Sequence, residues 1–191
     1  MSLFLESEAR ARAQKTFDLY KSAAAILNEH MQKQAAVVEH DIFLSHAYDD
    51  RELVLGVALM IEDLGYSVFI DWRDDPSLDR KRVTPQTAEK LRARMKTSRC
   101  LFYSTTENAS ESKWIPWELG FKDGHNTRAA ILPVSRQSTQ TYNGQEYLGI
   151  YPYVSRDRDT AQKERLWINR TPTCYVVFES WLAGEEPTQQ S

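Results

Sequence analysis

The sequence predicts an α/β protein: an open, doubly wound, mostly parallel sheet of four to five strands, preceded by an N-terminal helical extension. Two observations carry this. Short apolar runs near residues 41–45, 67–70, 100–104 and 129–134 alternate with segments whose apolar residues recur at helical spacing. The first strand–helix–strand unit is compact, which implies parallel pairing with a right-handed crossover.

Composition bounds the class. The chain has 191 residues, enough for one domain plus an extension. Apolar content of 41% and charged content of 27% are ordinary for a globular protein, expected in the cytoplasm. A net charge of −3 argues against a general nucleic-acid binder. No run of about 18 apolar residues offers a membrane span. The N-terminus lacks the basic-then-apolar pattern of a signal peptide. Cys100 and Cys174 lie far apart in apolar runs and read as reduced, buried thiols.

In chain order, residues 1–38 read as the helical extension. Ala13, Phe17, Tyr20, Ala24, Leu27 and Met31 form a narrow apolar stripe. A free helix of this length is marginal in water, so the stripe covers either its own domain or a second copy of the chain. The main domain spans 40–183. Asp41–Ser45 is a buried strand, and a helix follows from about Arg51 to Leu64, stopped by Gly65. Ser67–Ile70 is a second strand, followed by a charged loop at 71–83. Thr84 caps the next helix, with Pro85 at its first position. Cys100–Ser104 and Ala129–Val134 are the third and fourth strands. Leu148–Tyr153 holds a short fifth one, 155–165 is a charged segment, and a last helix covers about Thr173 to Leu182. The tail at 184–191 is expected to be disordered. The predicted sheet is of the flavodoxin-like kind.

Ligands of such sheets bind beyond the carboxyl ends of the strands. That edge carries Ser45, His46, Tyr48, Asp71, Trp72 and the stretch from Ser110 to Gly120. Within this stretch Ser110 or Ser112 caps a short helix, and Pro116 falls in its first turn. Trp114 and Glu118, four apart, share one helix face. An aromatic wall raises the pKa of an acid there, and the helix dipole lowers it. The pair reads either as a candidate catalyst or as a core Trp beside a surface Glu.

Several chemistries drop out. The seven glycines are scattered, so no phosphate cradle or dinucleotide fingerprint is present. His30, His40, His46 and His125 lack metal-ligand spacing. Ser45, His46 and Asp71 form no nucleophile elbow. A phosphoacceptor domain needs an acid where Ser104-Thr105-Thr106 stands. A single acid in an aromatic pocket suits glycosyl transfer: one carboxylate can stabilise an oxocarbenium-like ribosyl cation or trap it. Nicotinamide leaves NAD⁺ without protonation, so no second acid is needed.

From about residue 40 to 183 the chain resembles a TIR (Toll/interleukin-1 receptor) domain of the bacterial, NAD-cleaving, Thoeris-like kind. Asp41-Ile42-Phe43-Leu44-Ser45-His46-Ala47 resembles the opening motif of that family. Phe69-Ile70-Asp71 resembles its second strand, and residues 71–83, including Arg82, take the place of the loop after it. Trp114-x-x-x-Glu118 matches the Trp–Glu pair of the NAD-cleaving members, and Ile131-Leu132-Pro133-Val134 resembles the fourth strand. Ala47-Tyr48 stands where animal TIR enzymes carry a basic residue. The resemblance implies Glu118 as the catalytic residue. It gives substrate contacts to Trp114, Ser45, His46, Tyr48, Asp71, Trp72 and Arg82. NAD⁺ is then the substrate, with no cofactor and no metal. The product is an ADP-ribose-type, possibly cyclic, signalling nucleotide of anti-phage defence, sensed by a downstream effector. Partners are further copies through TIR–TIR contacts, with no nucleic acid and no membrane. The alternatives are a non-catalytic TIR adaptor and a related nucleoside ribosyl-transferring enzyme.

Overall fold

A computed structural model describes residues 1–20, 39–75, 84–106, 114–144 and 146–190. Its strands are β1 (Phe4–Leu5), β2 (His40–Ser45), β3 (Val68–Phe69), β4 (Ser98–Thr105), β5 (Ala129–Ser135), β6 (Tyr153–Arg158), β7 (Glu164–Thr171), β8 (Cys174–Val177) and β9 (Thr188–Gln189). Its helices are α1 (Glu6–Tyr20), α2 (Arg51–Glu62), α3 (Asp71–Asp74), α4 (Pro85–Thr97), α5 (Trp114–Asn126) and α6 (Phe178–Leu182).

The sheet runs β3-β2-β4-β5-β6-β7-β8-β9. From β3 to β6 it is parallel. Taken from β2, this half has the strand order of a flavodoxin-like fold, as the sequence predicts. The other half differs from the prediction. β6 to β9 form an antiparallel meander. The expected fifth strand at 148–153 is a 3₁₀ turn over Glu146–Ile150, and the strand begins at Tyr153. The charged segment at 155–165 lies in the β6–β7 hairpin, where Arg156 and Glu164 pair on the face that Val154, Leu166 and Ile168 turn to the core, and Arg165 pairs with Asp159 and Glu179 on the other face. The expected helix from Thr173 is β8 followed by the short α6, in which Phe178 and Trp181 turn fully inward. The tail from Gly184, expected to be disordered, carries β9, which pairs with β8.

Residues 1–20 are built into this sheet. β1 lies parallel to the end of β5, Phe4 opposite Val134. Ser2 bridges Arg156 of β6 through two backbone bonds of 2.8 Å. β5 and β6 pair only at Ile131 and Tyr153, so β1 fills the gap above. Of the predicted stripe, Ala13 is buried, together with Ala9 and Thr16, where α1 packs on α2. Residues 21–38 lie outside the described residues.

The two-residue period of the strands sorts the core into two layers. Ile42, Leu44, Phe102 and Leu132 face α1, α2 and α6 with Val54, Val57, Ile61 and Trp181. Phe43, Leu101, Tyr103, Ile131 and Tyr153 face α4 and α5 with Leu91, Met95, Ile115 and Leu119. Two of the predicted helix ends are in place: Thr84 Oγ1 accepts from the Thr87 N–H at 3.1 Å, and Gly65 takes φ +99 where α2 ends.

Candidate active site

Ile115, Glu118, Leu119 and Lys122 form the buried stripe of α5. Two charged groups thus stand where apolar ones are usual. Glu118 is fully buried, and Ser45, the last residue of β2, donates its hydroxyl hydrogen to Glu118 Oε2 at 2.5 Å. A bond this short to a carboxylate is of the charge-assisted kind.

His46 follows. The Leu44 carbonyl can only accept, so His46 Nδ1 carries the hydrogen in their 2.8 Å bond. His46 Nε2 then faces Asp71 Oδ1 at 3.4 Å, both side chains enclosed. This approach brings the end of β2 and the start of α3 together, beside the serine that holds Glu118. Because the Ser45 hydroxyl serves Glu118, the three residues make no Ser–His–Asp relay.

The remaining expected residues divide. Trp114 is half-buried on the α5 side and meets Trp117 edge to face at 5.4 Å. Trp72 packs with the opposite layer, under the Arg51 guanidinium at 5.7 Å, away from Glu118. Tyr48 lies in the 3₁₀ turn over Tyr48–Asp50. Arg82 and the expected capping residues Ser110 or Ser112 lie outside the described residues.

Two features escaped the sequence reading. Lys122, one turn after Glu118, is fully buried; its ammonium donates to the Met95 carbonyl at 2.8 Å and to the Ser98 carbonyl. It thereby caps the carboxyl end of α4. Burial pushes its pKa down to about 8. The stripe of α5 signals it, since Lys122 stands seven residues after Ile115. The second feature is Tyr103, the cross-strand neighbour of Ser45. Burial and the adjacent Tyr147 push its hydroxyl up to about 12.

A polar cleft of about 340 Å³ lies on the other layer, lined by Glu6, Arg10, Asp50, Thr106 and Arg136. Glu6 engages both arginines there. Among the described residues no group of three or more His, Cys, Asp or Glu side chains could hold a metal ion.

A flavodoxin-like sheet with an acid at the carboxyl edge of its strands, gripped by the serine that ends the opening strand, defines a TIR-type domain. The chain belongs to the TIR domain family, whose pattern matches residues 42–167. It is 41% identical over 190 residues to "Probable 3' cyclic ADP-D-ribose synthase ThsB'" of Bacillus cereus (strain MSX-D12), covering 95% of this chain and 98% of that one. It is 30% identical over 83 residues to "Putative cyclic ADP-D-ribose synthase TIR2" of Cytobacillus dafuensis, covering 43% of this chain and 22% of that one. Among solved structures it is similar to the TIR domain of the Toll-related receptor TRR-2 from Hydra magnipapillata. That likeness has 21% identity and a TM-score of 0.40, over 57% of this chain and 82% of that one.

Proposed function

We propose that the chain is an NAD⁺-cleaving enzyme that closes ADP-ribose into a cyclic signalling nucleotide for bacterial anti-phage defence. The observation that carries this is the buried Ser45–Glu118 pair, for which a non-catalytic adaptor has no need. The Bacillus cereus relative, matched along nearly its whole length, supports a product joined at a 3' position.

Cleavage of the bond between nicotinamide and ribose leaves positive charge on the ribosyl carbon. The Glu118 carboxylate, preoriented by Ser45, stabilises that charge. Nicotinamide departs neutral with the bond's electron pair. An adenosine ribose hydroxyl then bonds to the ribosyl carbon and yields its proton to the carboxylate. Glu118 is fully buried before substrate arrives, so substrate entry includes a step that uncovers it.

The same reading makes the enzyme a cytoplasmic homo-oligomer with sites completed by TIR–TIR contacts, and passes its product to an effector. Among the described residues no helix is long and apolar enough to cross a membrane. Purified protein incubated with NAD⁺ should release nicotinamide and a product lighter than ADP-ribose by one water. Unchanged NAD⁺ would overturn the proposal.

A further inference from the structure

A cyclic product sets a geometric demand that linear hydrolysis does not. The adenosine ribose must fold back onto the carbon beside Glu118, and the adenine must be held while it does so. The α5 layer of the sheet carries a row suited to this. Ser45, Tyr103, Ile131 and Tyr153 stand opposite one another on β2, β4, β5 and β6. Neighbouring strands lie about 4.8 Å apart, so Tyr103 is one strand from the serine that grips Glu118.

The loop between β5 and β6 adds further rings. Tyr142 lies against Tyr153, ring centroids 6.1 Å apart. Tyr147 neighbours the hydroxyls of Tyr103 and Tyr142 and remains 44% exposed. Two contacts fix the loop. The Tyr151 hydroxyl donates to Asp123 on α5 at 3.1 Å. Gly144 and Gly149 press together so closely that a Cβ on Gly144 would meet the Gly149 nitrogen at 2.7 Å. Neutral phenol rings present flat faces to a purine without introducing charge.

We propose that Tyr142 and Tyr147, backed by the buried Tyr103, hold the adenine ring of NAD⁺ and so decide between cyclic and linear product. This rests on the NAD⁺-cleaving reading above. In both outcomes the bond from the ribosyl carbon to nicotinamide breaks, and nicotinamide keeps the electron pair. With the adenine held, an adenosine ribose oxygen forms the new bond and gives up its proton. With the adenine free, a water oxygen does so, and ADP-ribose leaves.

The test is the ratio of cyclic to linear product from NAD⁺, measured by chromatography with mass detection alongside total nicotinamide release. Tyr147→Ala removes a half-exposed ring, which leaves the core intact. It should lower the ratio roughly tenfold or more, the scale of one lost base–aromatic stack; the ratio is taken per nicotinamide released, so a loss of total turnover does not enter it. Tyr147→Phe, which keeps the ring, should preserve the ratio, and Tyr142→Ala should repeat the loss. An unchanged ratio in both alanine variants, each with the wild-type melting temperature, overturns the adenine site alone. Wild-type protein giving only linear ADP-ribose also overturns it. Wild-type protein that releases no nicotinamide overturns the reading beneath it as well.

Discussion

Phe43 and Ser45 share one side of β2 by the two-residue period of a strand, and Glu118 and Lys122 share one side of α5 by the helical period. Where the two sides face each other, Ser45 meets Glu118. Ser45→Ala therefore leaves a buried carboxylate with one donor fewer. Turnover on NAD⁺ should fall by roughly 10- to 100-fold, the scale of a hydrogen bond to a charged group, and the melting temperature should fall as well, since a buried acceptor short of a donor costs about 1–3 kcal/mol. Steady-state nicotinamide release checks this, and an unaltered rate would detach Ser45 from the chemistry. Lys122 allows a prediction of pH dependence. Its folded pKa of about 8 lies below the ordinary 10.5 because burial penalises the ammonium. Below pH 8 both states hold the proton and the whole penalty is present. Between about pH 8 and 10.5 the unfolded chain holds more protons, so stability rises with pH. Relative to Lys122→Met, the wild-type protein should gain up to about 3 kcal/mol across that window. Urea unfolding of both proteins at a series of pH values measures it, and parallel curves would contradict it.

Among the elements, β2, α2, β4 and β5 were legible because their periods are unbroken by charge on the buried face. Ile42 and Leu44 alternate with Phe43, and Leu53, Val57 and Ile61 repeat at helical spacing. The β6–β7 hairpin was not legible, since Arg156 and Glu164 share the inward face with Val154, Leu166 and Ile168 and break its apolar alternation. β1 is two residues long and shows no period at all. Its role depends on the gap between β5 and β6, which no local pattern announces. The placement of α1 can be tested at its tightest contact. A Cβ on Gly56 of α2 would come within 1.8 Å of the Ala9 carbonyl oxygen of α1. Backbone cannot yield there without moving α1, so Gly56→Ala should cost about 1–3 kcal/mol, as overpacked cores do. Denaturant titration reads this loss, and wild-type stability would mean that α1 is not held against α2.

At the scale of the molecule, the parallel half of the sheet builds the site and the antiparallel half extends the core beneath α6. The acid and its serine were both legible at the ligand edge, because strand ends and helix starts converge there in any open parallel sheet. Their direct bond was not legible, nor was the turn of Trp72 toward the other layer, since each depends on how helices rotate over the sheet. Tyr103 was hidden for a different reason: within an apolar strand it reads as core, and only the register places it opposite Ser45. The central claim is that the buried carboxylate of Glu118 drives cleavage of NAD⁺. Glu118→Gln keeps the shape and the hydrogen-bonding capacity while removing the charge. Wild type and variant, at equal concentration and with matched melting curves, should be incubated with NAD⁺ and their nicotinamide release compared. The account predicts a variant slower by roughly 100-fold or more, the scale of losing one preorganised electrostatic group; equal release by the two folded proteins would contradict it.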